Sequence, residues 1–205
     1  MCNRFRVTAK QLELAERYGV DPATLMPDPE PLPPPELFPK KPGWVVRNAH
    51  GRLKLDVMEW GVPLNVKNPK TGKVTTKPVT NVRNLASGFW RNMLANPENR
   101  CLVPVTEFAE PEGEVGSKVW RWFSLPNAPI FSFAGVWRPT EVGPAFAFLT
   151  CGYDGDPSTH IVGEVHAKAC PVILHREDEE HWLNGDVDRV CSLASPFPSQ
   201  LMKVA

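Results

Sequence analysis

The sequence predicts an α+β fold: a single compact domain built on a curled, barrel-like and mostly antiparallel β-sheet, with a few short flanking helices. Three observations point there. From Trp44 onward, short runs rich in aromatic and β-branched residues alternate with Gly and Pro punctuation. Helical patterns are few and short. No repeat or interior linker divides the 205 residues, a length that suits one sizeable core.

The elements follow in order. Thr8-Ala-Lys-Gln11 fits a capping box, and Leu12, Ala15 and Gly19 mark a short helix and its stop. The stretch MPDPEPLPPPELFPKKP (26–42) is too rich in proline for a helix or a central strand, so it reads as an extended polyproline-like connector over the surface. WVVRNAHGRLKLDVMEW reads as two strands about a turn near Ala49-His50-Gly51, and NPKTGK (68–73) as a second turn. ASGFWRNMLANPENR (86–100) predicts a helix capped by Ser87 or Asn84. Four strand-like runs follow, CLVPVTEF, KVWRWFSL, PIFSFAGVWR and AFAFLTCGY, and then a short acidic helix, HREDEEHWL (175–183).

Composition excludes several classes. No run approaches the ~18 apolar residues of a membrane span, and the start lacks the basic-then-apolar pattern of a secretory signal. Five cysteines without regular spacing argue against a disulfide framework, so a cytoplasmic protein is expected. Net charge is zero but unevenly spread. Residues 40–100 hold 12 Lys and Arg against 3 Asp and Glu, a net of +9. That asymmetry fits a basic, polyanion-binding face and equally a solvated basic region.

Candidate chemistry starts at MCNRF. Removal of Met1 would leave Cys2 with a free α-amine and a thiol on adjacent carbons, both nucleophilic near neutral pH given reference pKa values of ~7.7–8.0 and ~8.5. Zinc has little to stand on, since no Cys-x-x-Cys occurs, and Cys101, Cys151, Cys170 and Cys191 read as small buried groups. P-loop, Rossmann and G-x-S-x-G signatures are absent. In NVRNLASGFWR (81–91), Asn81, Arg83 and Arg91 accompany Phe89 and Trp90. That suits single-strand binding, and equally a helix burying its aromatics while its arginines solvate. Glu107 and Glu110 lie three apart on a strand, so only one can face a given pocket. His166 precedes an apolar strand.

Together these segments resemble the SOS-response-associated peptidases. The family start M-C-G-R-F is similar to Met1-Cys2-Asn3-Arg4-Phe5, and its N-A-R to Asn81-Val82-Arg83, with a further arginine at Arg91. R-C-L-I-P-A-D-G-F-Y-E-W resembles residues 100–111 and sets the family glutamate at Glu110. F-A-G-L-W is similar to Phe133-Ala134-Gly135-Val136-Trp137, and I-H-D-R-M-P-V-I-L to Val165-His166 through Leu174.

The resemblance implies the family fold and a partner, single-stranded DNA bearing abasic sites, to which members bond covalently. The Cys2 amine would condense with the sugar aldehyde to a Schiff base, and the thiol would close a thiazolidine ring. Met1 must first be lost, by an aminopeptidase or by self-processing. Glu110 would shuttle protons, His166 would act on the sugar oxygen, and Asn81 would hold the N-terminal residue. Arg4, Arg83 and Arg91 would grip phosphates, with Trp90 beside them. No metal, cofactor or membrane is expected, and a monomer is assumed.

The chain departs from the pattern at Asn3 and Glu107, each in place of a glycine, and at Pro63-Leu64-Asn65 in place of P-S-W. Pro39-Lys40-Lys41-Pro42 stands where the family has N-x-A-P, and the segment from His166 to Pro171 is one residue longer. Two other readings stay open: a peptidase using Cys2 on protein substrates, and a non-covalent reader of single-stranded or modified DNA.

Overall fold

Pairing of distant strands dominates the architecture. The structure, a computed structural model, describes residues 2–25, 27, 32–113 and 119–205. In chain order the elements are β1 (Phe5–Arg6), α1 (Gln11–Tyr18), β2 (Glu36–Leu37), β3 (Pro42–Ala49), β4 (Arg52–Trp60), β5 (Val62–Lys67), β6 (Val74–Val79) and β7 (Asn81–Val82). Then come α2 (Gly88–Ala95), β8 (Arg100–Val105), β9 (Glu107–Pro111), β10 (Trp120–Ser124), β11 (Phe131–Arg138) and β12 (Ala145–Cys151). The chain finishes with β13 (Cys170–Pro171), β14 (Ile173–Leu174), α3 (Glu179–Asn184), α4 (Val187–Ser192) and β15 (Lys203–Val204).

The predicted curled sheet is a closed ring. β12 pairs with β4, β4 with β3, β3 with β8, β8 with β11, and β11 returns to β12. All these pairings are antiparallel except β12 with β4. Closure removes the exposed edges of an open sheet. A second sheet, in the order β15-β10-β9-β1-β2, lies where the β8 run breaks at Thr106 and continues as β9. The two sheets share an aromatic core. Phe133 meets Phe148 at 4.7 Å between ring centroids, Phe5 meets Trp60 at 4.9 Å, and Phe108 stacks on Phe123 at 5.2 Å. Such pairs add to the burial of their large apolar surfaces.

Local chemistry explains the boundaries. His50 and Gly51 both have positive φ (54° and 80°), which turns β3 tightly into β4. The first helix is capped two residues later than its sequence suggested: Glu13 reaches back to the Lys10 amide at 2.6 Å, and Gly19 closes the helix at φ 67°. Helix α2 stops at Ala95 rather than running to residue 100, because Pro97 ends it. Before it, the Asn84 carboxamide oxygen accepts from the Ala86 amide at 3.2 Å, and the Ser87 side chain caps nothing. Part of the proline-rich connector, at residue 26 and residues 28–31, lies outside the described residues. Its end forms β2, an edge strand, where proline is tolerated. The acidic helix begins as a 3₁₀ turn over Arg176–Asp178 before α3. Arg100 is fully buried and caps that helix, donating to the Trp182 and Gly185 carbonyls at 2.9 and 2.7 Å. Cys191 is half-buried rather than buried. Among the described residues, no helix is long and apolar enough to cross a membrane.

Candidate functional site

Strands β7 and β9 bring Asn81 and Glu110 to Cys2. The Cys2 side chain is completely buried, its thiol donating to the Arg4 carbonyl at 3.6 Å and lying 4.0 Å from that of Ala109. Its own carbonyl accepts from Asn81 Nδ2 at 3.0 Å. Asn81 is positioned because β7 pairs in parallel with β12, setting Asn81 opposite Phe148, and its Nδ2 also donates to Thr80 Oγ1 at 2.9 Å.

Strand alternation sorts the two glutamates as expected. Glu107 faces outward to Arg6, 3.1 Å away, and Glu110 is fully buried on the other face. Neither Glu110 carboxylate oxygen has a hydrogen-bond partner among the described residues, and neither does Asn81 Oδ1. Burial pushes the Glu110 carboxyl up to about 7. The Cys2 thiol is raised well above its ordinary range, by burial first and by Glu110 second. An acid poised near neutrality beside a nucleophile is the arrangement proton transfer needs.

His166 is half-buried, on the turn where its amide donates to the Val162 carbonyl at 2.8 Å. Burial, and then nearby positive charges including Lys168 and Arg83, push it down to about 4, so its imidazole is neutral at pH 7. Sequence reasoning missed Tyr153, whose hydroxyl donates to the His166 carbonyl at 2.9 Å. It also missed Thr80 and Glu36. No motif marks these residues; only the crossing of distant segments makes them neighbours.

The predicted DNA-binding residues separate. Arg83 is exposed and close enough to His166 and Cys151 to bias both electrostatically. Arg91 is exposed on α2, where it influences Cys191 instead. Trp90 is 6% exposed and packs edge-on against Phe89 at 4.6 Å, so its ring is buried rather than offered to a base. Arg4 is held by Glu36 at 2.7 Å, with the Trp120, Trp122 and Phe38 rings 5.1–5.3 Å from its guanidinium carbon. The Asn3 side chain is exposed and does not crowd the buried thiol.

Arg83 and Lys168 supply positive charge beside His166, and the β5–β6 hairpin adds an exposed basic stretch. Lys67, Lys70, Lys73 and Lys77 are all exposed on it, and residues 62–80 contain no acid. The hairpin leads directly into Asn81 in the chain. Among the described residues no cluster of three or more His, Cys, Asp or Glu is disposed to hold a metal.

Solved structures similar to this chain agree with this architecture. A protein from Bordetella bronchiseptica superposes with a TM-score of 0.76 at 20% identity, covering 100% of this chain and 98% of the other. A protein from Bacteroides thetaiotaomicron gives 0.74 at 21% identity, covering 99% and 90%. A phage-related protein from Bordetella bronchiseptica gives 0.68 at 17%, covering 100% and 93%. At these identities the likeness establishes the fold. No curated protein matches the chain by sequence. The family described as "SOS response associated peptidase (SRAP)" matches over residues 1–205. With the whole chain matched, this protein belongs to the SOS-response-associated peptidase family, and with membership go an association with the SOS response and the family's peptidase-like fold.

Proposed function

We propose that this protein captures abasic sites in single-stranded DNA as a covalent thiazolidine on Cys2, once Met1 has been removed. The observation that carries the reading is the pairing of a fully buried Cys2 with a fully buried Glu110, whose carboxyl is raised to about 7. The orphaned oxygens of Glu110 and Asn81 are acceptors, and a processed Cys2 α-amine supplies donors.

The chemistry balances with one water lost. The amine adds to the open-chain sugar aldehyde, and protonated Glu110 gives its proton to the departing hydroxyl, leaving an imine. The thiol then adds across the C=N bond and closes the ring, its proton passing to the nitrogen. Near neutral pH, Glu110 is populated in both forms and can serve in either direction. Neutral His166 acts on the sugar oxygen as a hydrogen-bonding group. Asn81 fixes the Cys2 backbone, limiting the freedom of both nucleophiles. Removal of Met1 by the chain itself would use the same thiol and carboxyl, which suits a peptidase-like fold.

Intact-protein mass spectrometry tests the reading. After incubation with a single-stranded oligonucleotide carrying one abasic site, Met1-free protein is expected as a heat-stable adduct equal to protein plus DNA minus water. Met1-free protein that forms no adduct, or a Cys2→Ala variant that still crosslinks, defeats the mechanism.

A further inference from the structure

A pair of thiols remains that the proposed chemistry does not use. Cys151 ends β12 and Cys170 begins β13, and the two are directly opposed across the antiparallel pairing. Their sulfurs are 3.6 Å apart, and both side chains are buried, Cys151 at 9% exposure and Cys170 at 2%. Directly opposed antiparallel residues have Cα atoms about 4.5–5.5 Å apart, inside the ~4.4–6.8 Å range a disulfide bridges. Bond formation therefore needs side-chain rotation and little backbone movement. By contrast, Cys101 is buried with no thiol partner among the described hydrogen bonds.

Their place in the chain gives the pair a consequence. Residues 152–169 leave β12 at Cys151 and return to β13 at Cys170, so the two cysteines form the neck of one loop. That loop carries Tyr153 and His166, tied together by the 2.9 Å hydrogen bond from the Tyr153 hydroxyl. Cys170 and Glu110 both add to the rise that burial imposes on the Tyr153 phenol, so the neck of the loop lies within electrostatic reach of Glu110.

We propose that Cys151 and Cys170 form a reversible disulfide when the protein meets a peroxide, clasping the neck of the loop that positions His166. The Cys151 sulfur attacks the peroxide oxygen, giving a sulfenic acid and releasing water. The Cys170 sulfur then displaces the sulfenic hydroxyl as a second water. Two thiols lose two electrons and two protons, and the peroxide O–O bond is reduced. Cys151 suits the attacking role, because it is the more exposed of the two thiols and its contact with Cys170 favours its thiolate. The inference stands apart from the abasic-site reading, since its readout is the bond itself.

The test treats reduced full-length protein with hydrogen peroxide, unfolds it with an alkylating agent present, and maps the peptides by mass spectrometry. Expected is a Cys151–Cys170 linked peptide, two hydrogen atoms lighter than its parts and lost on prior reduction with dithiothreitol. Cys101 is expected to be fully alkylated. Limited proteolysis within 152–169 is expected to slow severalfold in the oxidised protein and to recover on reduction. A Cys170→Ala variant is expected to give no linked peptide and to accumulate oxygen adducts at Cys151. Full alkylation of both residues after peroxide, or pairing of Cys151 with a different cysteine, overturns the proposal.

Discussion

The carboxamide of Asn81 donates a 3.0 Å hydrogen bond to the carbonyl of Cys2, joining residues 79 positions apart. It ties the Cys2 backbone to β7. Asn81→Ala leaves that buried carbonyl unsatisfied, a loss of ~1–3 kcal/mol. If transition-state positioning carries that loss, crosslinking slows by roughly tenfold to a hundredfold. Single-turnover kinetics with an abasic oligonucleotide measure it, and an unchanged rate releases Asn81 from the role.

In the proposed reaction Glu110→Gln removes the proton shuttle while keeping the shape. Crosslinking is expected to fall by roughly 10²–10⁴-fold, together with the inflection near pH 7 in the rate profile.

The same substitution changes stability with a defined sign. The Glu110 carboxyl is raised in the fold from its ordinary 4.5 to about 7. Its contribution is therefore complete below about 4.5 and lost as pH rises through about 7, a swing of ~3 kcal/mol. Glu110→Gln is expected to flatten stability over that window, and to be more stable than the parent at pH 8 relative to pH 4.5. Urea denaturation at the two pH values reads it. Equal pH dependence in the two proteins contradicts the buried-acid assignment.

Arg83 and the β5–β6 lysines should act through phosphates. Arg83→Ala is expected to weaken binding of any single-stranded oligonucleotide and to lower the salt slope of log K by ~0.7, as for one lost contact. Lys77→Gln and Lys73→Gln should each do the same. Fluorescence anisotropy across a salt series checks this; a slope equal to the parent's takes these side chains off the DNA path.

Arg4 makes a different prediction. Its guanidinium lies between Glu36 and three aromatic rings, in contacts that hold β1 to β2 and β10. Arg4→Met is expected to cost ~1–2 kcal/mol of stability through the lost ion pair and cation–π contacts, whatever it does to DNA affinity. Thermal melting without DNA distinguishes this from a purely DNA-binding role, which predicts no change.

Much of this architecture was written in local signals. The β3–β4 turn is legible because Gly51 follows His50 between alternating strands, and the Glu107/Glu110 division because alternation alone puts them on opposite faces. Other boundaries moved under competing local chemistry. Glu13 reaches the Lys10 amide, so α1 is capped two residues later than the Thr8 pattern suggested, and Pro97 stops α2 early. The apolar strand after His166 appears as the two short strands β13 and β14, whereas two-residue β15 carries too few residues for any periodicity to show and α4 went unmarked.

Of the site, the sequence by itself determined which chemistry was present: a cysteine next to the initiator, a carboxylate on the inward phase of a strand, an asparagine, a histidine and a basic stretch. Only the tertiary structure decided how those groups behave. Packing of the second sheet buries Glu110 with no hydrogen-bond partner among the described residues and so raises its proton affinity to the neutral range, an effect of desolvation that no spacing encodes. Sheet pairing turns Arg4 toward Glu36 and leaves Arg83 exposed near His166, and it sets Cys151 against Cys170 across 19 positions of chain. Burial and through-space charge depend on which distant strands become neighbours, and that is a property of the whole fold.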